Sequence, residues 1–117
     1  MMWSREEAIS LCCEIEAIAP AFGCHVALTG GTLYKGGLRK DADVLFYRIR
    51  QEPMIDKGGL LLALEKIGFL LGGDHGFVVK GTINGKNIDL FFPETPDGEY
   101  PGRAQSEPLE FVEEPFQ

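Results

Sequence analysis

The sequence predicts an α+β domain, a mixed sheet with helices packed on one face. Three observations predict it: a capping-box signature ahead of an apolar run at helical spacing, two short apolar segments joined across a glycine-rich link, and an Asn-Gly pair between two alternating segments. At 117 residues and 44% hydrophobic composition, the chain suits one domain with a core of its own.

Ser4 and Glu7 match the capping box, in which the hydroxyl accepts from the Glu7 amide and the carboxylate reaches back. Ala8, Leu11, Cys12, Ile15, Ile18 and Ala19 then follow at helical spacing until Pro20, which predicts a helix over 5–19. Residues 25–29 read as a short buried strand ended by Gly30 and Gly31. Residues 32–35 allow a turn or two of helix before Gly36 and Gly37 break it. Residues 42–47 read as a second strand. The link between these strands is shorter than a parallel crossover needs, so they are expected antiparallel or splayed.

Residues 51–58, with Pro53, read as a loop. Residues 59–71 read as a second long helix closed by Gly72 and Gly73, with only Glu65 and Lys66 clearly polar. Such a helix is either core or a sticky face, and core is the expectation. Asn84-Gly85 between 77–83 and 86–92 predicts a hairpin with a type I′ turn. That turn fixes the register: Ile83 opposite Lys86, Thr82 opposite Asn87, Gly81 opposite Ile88 and Lys80 opposite Asp89. Paired residues share a face. Phe77, Val79, Ile83, Ile88, Leu90 and Phe92 are expected in the core, and Lys80, Thr82, Asn87 and Asp89 on a polar face. The domain is expected to span 1–93, with 94–117 an acidic, proline-rich tail.

The net charge of −7 argues against a protein that grips nucleic acid by its backbone. Most of that charge falls in the tail, so a local basic patch within 1–93 is still allowed. Cys12, Cys13 and Cys24 lack CxxC spacing and are odd in number, which argues against a disulfide framework. Cys12 and Cys13 are expected as buried thiols in a reducing compartment. The start, MMWSREEAIS, is not a signal peptide, and no apolar run is long enough to span a bilayer. A cytoplasmic protein with no membrane partner is expected. His25 and His75 read as structural, because no second ligand sits at metal spacing.

The chemistry concentrates in 29–47. Gly30 and Gly31 allow close approach of backbone to phosphate, and Thr32 offers a hydroxyl. Asp41 and Asp43, two apart on a strand, point to one side. If Asp89 lies on the neighbouring strand, three carboxylates converge, and three such charges together call for a cation. Magnesium suits oxygen ligands supplied by carboxylates and substrate phosphates. Lys40 and Lys80, with Lys35 and Arg39, are cations within reach of such phosphates, although Lys35, Arg39 and Lys40 read first as solvated. Lys80 opposite Asp89 also reads as a plain cross-strand ion pair.

This ordered set resembles the nucleotidyltransferase superfamily typified by DNA polymerase beta and the small antibiotic nucleotidyltransferases. Gly30, Gly31, Asp41, Asp43 and Asp89 match its pattern, with Val44, Ile88 and Leu90 as hydrophobic neighbours. The wording GGTL followed by KDADV looks most like the abortive-infection and toxin–antitoxin branch. The resemblance covers about 5–93. It implies two magnesium ions on Asp41, Asp43 and Asp89, and a triphosphate positioned by Gly30, Gly31 and Thr32. It also implies transfer of a nucleoside monophosphate from an NTP to a hydroxyl of a small molecule, RNA or protein. The chain departs from the family in carrying only the tail where active members add an acceptor domain. An open cleft, a homodimer or a partner chain would then have to supply the acceptor. The alternative is an inactive module of the same fold that binds nucleotide or protein. A third reading is an α/β domain whose three aspartates never meet.

Overall fold

In the computed structural model, which describes residues 2–35 and 37–94, helix α1 covers Arg5–Glu16. The capping box is formed: Glu7 N donates to Ser4 Oγ at 3.1 Å and Ser4 N to Glu7 Oε1 at 2.9 Å. Ala8, Leu11 and Ile15 are buried, as their spacing predicts. The helix stops short of the expected residue 19. Ala19–Phe22 form a 3₁₀ turn instead, with Pro20 unable to donate to an α-helical ladder. Neighbouring helical positions point about 100° apart. Only Cys12 therefore turns partly inward, where burial pushes its thiol up to about 11, while Cys13 is exposed and not buried as expected.

Five strands follow: β1 (Cys24–Thr29), β2 (Asp41–Arg48), β3 (Phe69–Asp74), β4 (Val78–Ile83) and β5 (Lys86–Phe91). Helix α2 (Gly30–Tyr34) links β1 to β2, and α3 (Lys57–Glu65) lies between β2 and β3. They build one mixed sheet in the order β1-β2-β5-β4-β3. β1 and β2 are antiparallel, as the short link requires, and β2 runs parallel to β5. The hairpin has the expected register, with Ile83 opposite Lys86 and Lys80 opposite Asp89. Asn84 and Gly85 both have positive φ, 55° and 79°, the requirement of a type I′ turn.

Period-two alternation sorts each strand into two faces. Ala42, Val44 and Phe46, Ile88 and Leu90, and Val79 and Ile83 are buried in one cluster with Ala8, Leu11 and Ile15 of α1 and Leu60 and Leu64 of α3. The helices thus pack on one face of the sheet. Phe92 completes the cluster by stacking on Phe46, ring centroids 4.8 Å apart.

The second helix is shorter than the sequence suggests. It ends at Glu65, Gly68 turns the chain with φ +107°, and 69–74 is strand. An all-apolar run shows neither helical nor strand period, so its leucines do not mark where one ends. Phe69 is buried, whereas Leu62, Leu70 and Leu71 are exposed, so part of the run is surface and not core. Phe77 also departs from expectation: it is exposed, in the bend that precedes β4. No helix among the described residues is long and apolar enough to cross a membrane. Of the acidic tail, Glu94 is described, its carboxylate accepting from Arg48 N at 2.7 Å; residues 95–117 lie outside the described residues.

Gly81 is needed for its lack of a side chain. A Cβ there would meet Phe69 Cε1 at 2.6 Å and the Leu70 carbonyl. Both belong to the paired strand β3, which cannot retreat without breaking its ladder. Gly81→Ala is expected to cost about 2–3 kcal/mol, measured by urea denaturation, as overpacking does in a filled interior.

Candidate functional site

Sheet register assembles the site. Asp43 on β2 is the direct partner of Asp89 on β5, Thr29 on β1 that of Asp43, and Lys80 on β4 that of Asp89. Thr29, Asp43, Asp89 and Lys80 therefore form one row across the face that the helices leave open. The Asp43 and Asp89 carboxylates come within hydrogen-bonding reach of each other. Burial, then the charges of Asp89 and Asp41, push Asp43 above the usual carboxylate range, and Lys80 works in the opposite direction.

Lys80 Nζ lies 3.3 Å from Asp89 Oδ1. The lysine side chain is 56% exposed and Asp89 only 17%, so this is a surface ion pair, of the kind worth at most about 1 kcal/mol. One ammonium cannot offset both carboxylates. Asp41 stands apart from that pair. It is exposed, one same-face step along β2, and faces Asn87 across the strands. Among the described residues no three His, Cys, Asp or Glu side chains close into a metal-holding group.

The glycine turn is folded onto this row. Gly30 has φ +71°, and a Cβ there would collide with the Asp43 carboxylate. β1 ends at Thr29, so the chain turns beside Asp43 at Gly30, the first residue of α2. Gly31 is different: a Cβ there would make ordinary contact, nearest to Arg39 Nε at 3.4 Å. Thr32 is buried and its hydroxyl donates to the Asp41 carbonyl at 3.1 Å. Its direct contribution is to fix the backbone at the start of β2. Lys40 is exposed in the turn just before Asp41.

Arg39 is the residue that sequence reasoning undervalued. It reads as a solvated charge, yet its backbone forms a two-way bridge with Trp3: Trp3 N donates to Arg39 O at 2.7 Å and Arg39 N to Trp3 O at 2.9 Å. The bridge draws the side chain inward beside Gly31, where its Nε is buried with no hydrogen-bond partner among the described residues. A buried donor left unpaired costs about 1–3 kcal/mol, which an anionic oxygen would recover. No local signal in the sequence announces this, because the bridge joins residues 36 positions apart.

Asp43 and Asp89 are the residues that could hold a hard divalent cation, and Arg39 Nε the donor that could meet a phosphate oxygen. Three features bear on this: a carboxyl held above its usual range beside a second one, a turn that only glycine's missing Cβ allows against them, and a buried guanidinium N–H without a partner among the described residues. Comparison with known proteins supplies no relative: no family model matches the chain, and no curated protein matches it.

Proposed function

We propose that the chain is a minimal magnesium-dependent nucleotidyltransferase, moving a nucleoside monophosphate from an NTP to a hydroxyl acceptor. The observation that carries this reading is the in-register Asp43–Asp89 pair with Gly30 turned against it. Two carboxylates plus substrate phosphates are the usual way in which proteins hold magnesium. Asp43 and Asp89 would hold the ion, and Asp41, exposed one step along β2, would serve a second. Bound there, the metal supplies Lewis-acid stabilisation of the phosphoryl oxygens and of the attacking and leaving oxygens.

The rest of the work falls to the chain. The backbone of Gly30 and Gly31 approaches the triphosphate closely, Arg39 Nε donates to a phosphate oxygen, and Lys80 and Lys40 offset phosphate charge. Asp89 would take the acceptor's proton. The acceptor oxygen then bonds to the α-phosphorus. The bond to the bridging oxygen breaks, and pyrophosphate leaves with the electron pair. The open sheet face leaves the acceptor class unrestricted, whether small molecule, RNA, protein or a residue of a second chain. The cytoplasm, which supplies both NTP and magnesium, is the compartment this chemistry suits.

Incubation with labelled NTPs and magnesium is expected to release pyrophosphate, and Asp89→Asn to abolish that release. Triphosphate binding without pyrophosphate release would favour the second reading, a binding module, to which the Lys80–Asp89 pair lends support by holding Asp89 in an ion pair at 3.3 Å. Absence of any triphosphate binding in calorimetry would sink the enzyme and leave the module only a protein partner.

A further inference from the structure

A solvated sheet face ordinarily keeps polar side chains along its length. The open face here does not. One same-face step from the carboxylate row, every strand that contributes to that row becomes apolar. β2 passes from Asp43 to Leu45, β5 from Asp89 to Phe91, β4 from Lys80 to Val78 and β1 from Thr29 to Ala27. The pairings Ala27↔Leu45, Leu45↔Phe91 and Val78↔Phe91 join these into one continuous row. Leu45 and Phe91 are partly open to solvent, and Tyr47, a further step along β2, is 43% exposed. The tyrosine ring sits 5.6 Å from that of His25.

Same-face rows are spaced by about 6.7 Å along a strand, and neighbouring strands by about 4.8 Å. Leu45 and Phe91 thus form a flat apolar surface one row from the carboxylates. Through a divalent cation on the two carboxylates, this face suits a ligand with phosphates at one end and a planar, apolar group at the other. The geometry points to a platform for the base of a nucleotide, laid on Leu45 and Phe91 while its phosphates meet the Asp43–Asp89 row. The phosphate end rests on the nucleotidyltransferase reading, and the base end is carried by the apolar row. Neither Leu45 nor Phe91 has a side-chain donor or acceptor to read a base edge. Stacking on such a surface tolerates any base.

The test is calorimetry on the full chain in magnesium, with ATP and with inorganic tripolyphosphate. ATP is expected to bind about tenfold more tightly than tripolyphosphate, a stacking-sized difference. CTP is expected to stay within a few-fold of ATP. Phe91→Thr should remove the advantage of ATP while leaving tripolyphosphate affinity unchanged. Equal affinities for ATP and tripolyphosphate overturn the platform and leave the phosphate site standing; this comparison needs no variant. Failure of both ligands to bind removes the phosphate reading and the platform together. A Phe91→Thr chain that keeps its ATP affinity but sediments as monomer where the parent is a dimer assigns the face to a second copy, and also overturns the proposal.

Discussion

Replacing Asp43 with Asn is expected to lower nucleotidyl transfer by about 100-fold or more while leaving the fold at least as stable as before, since removing one preorganised charge partner of a transition state has effects of that size. The two halves of the expectation have one cause. Burial and the like charges of Asp89 and Asp41 raise the Asp43 pKa above its ordinary 3.8. A carboxyl that is raised on folding binds more protons in the native state than in the unfolded one. Its stabilising protonation is complete below the unfolded pKa and is lost as pH rises through the folded pKa. At neutral pH Asp43 therefore opposes folding, and a neutral isostere relieves it. Thermal melts at pH 7 without magnesium should show Asp43→Asn at or above the parent. Added magnesium should raise the parent's Tm and leave the variant's unchanged. A variant that melts well below the parent in metal-free buffer would contradict this account of the pair.

Gly30→Ala carries the second large effect. The left-handed φ of +71° alone costs an L-residue about 1–2 kcal/mol. The new methyl would also drive into the Asp43 carboxylate, so the turn or the aspartate must move. Loss of stability by about 2–3 kcal/mol in urea titration is expected, together with loss of triphosphate binding. Gly31→Ala provides the control for stability. It lies in helical backbone, where alanine is favoured over glycine by up to about 1 kcal/mol, and its Cβ would find only ordinary contact with Arg39. The two substitutions are adjacent and chemically identical, so equal melting curves would refute the left-handed turn against Asp43.

Much of this site was legible because short-range rules fix it. The Asn84-Gly85 turn sets the hairpin register, which alone puts Lys80 opposite Asp89. The alternation in DADVLF puts Asp41 and Asp43 on the face opposite Ala42 and Val44. What the sequence leaves open is which strand β2 joins on its other side. The parallel pairing of β2 with β5 connects residues 46 apart, Asp43 to Asp89, and no local pattern encodes it. The same limit explains β3. A leucine run without period reads as helix until Gly68 and pairing with β4 divide it. Arg39 was hidden for a third reason, since its environment is made by Trp3 from the other end of the domain.

Trp3 has one further consequence. It is the only tryptophan in the chain. It is 3% exposed, bonded through Nε1 to the Asn87 carbonyl at 2.6 Å, with the Lys86 ammonium 5.0 Å from its ring centroid. Asn87 lies two residues before Asp89 and Arg39 two before Asp41, so Trp3 is tied through its indole to β5 and through its backbone to the segment leading into β2. A native fluorophore is thus built in beside both strands, and its emission is expected to shift when a ligand occupies the proposed site, a change that can be followed by light without attaching a label.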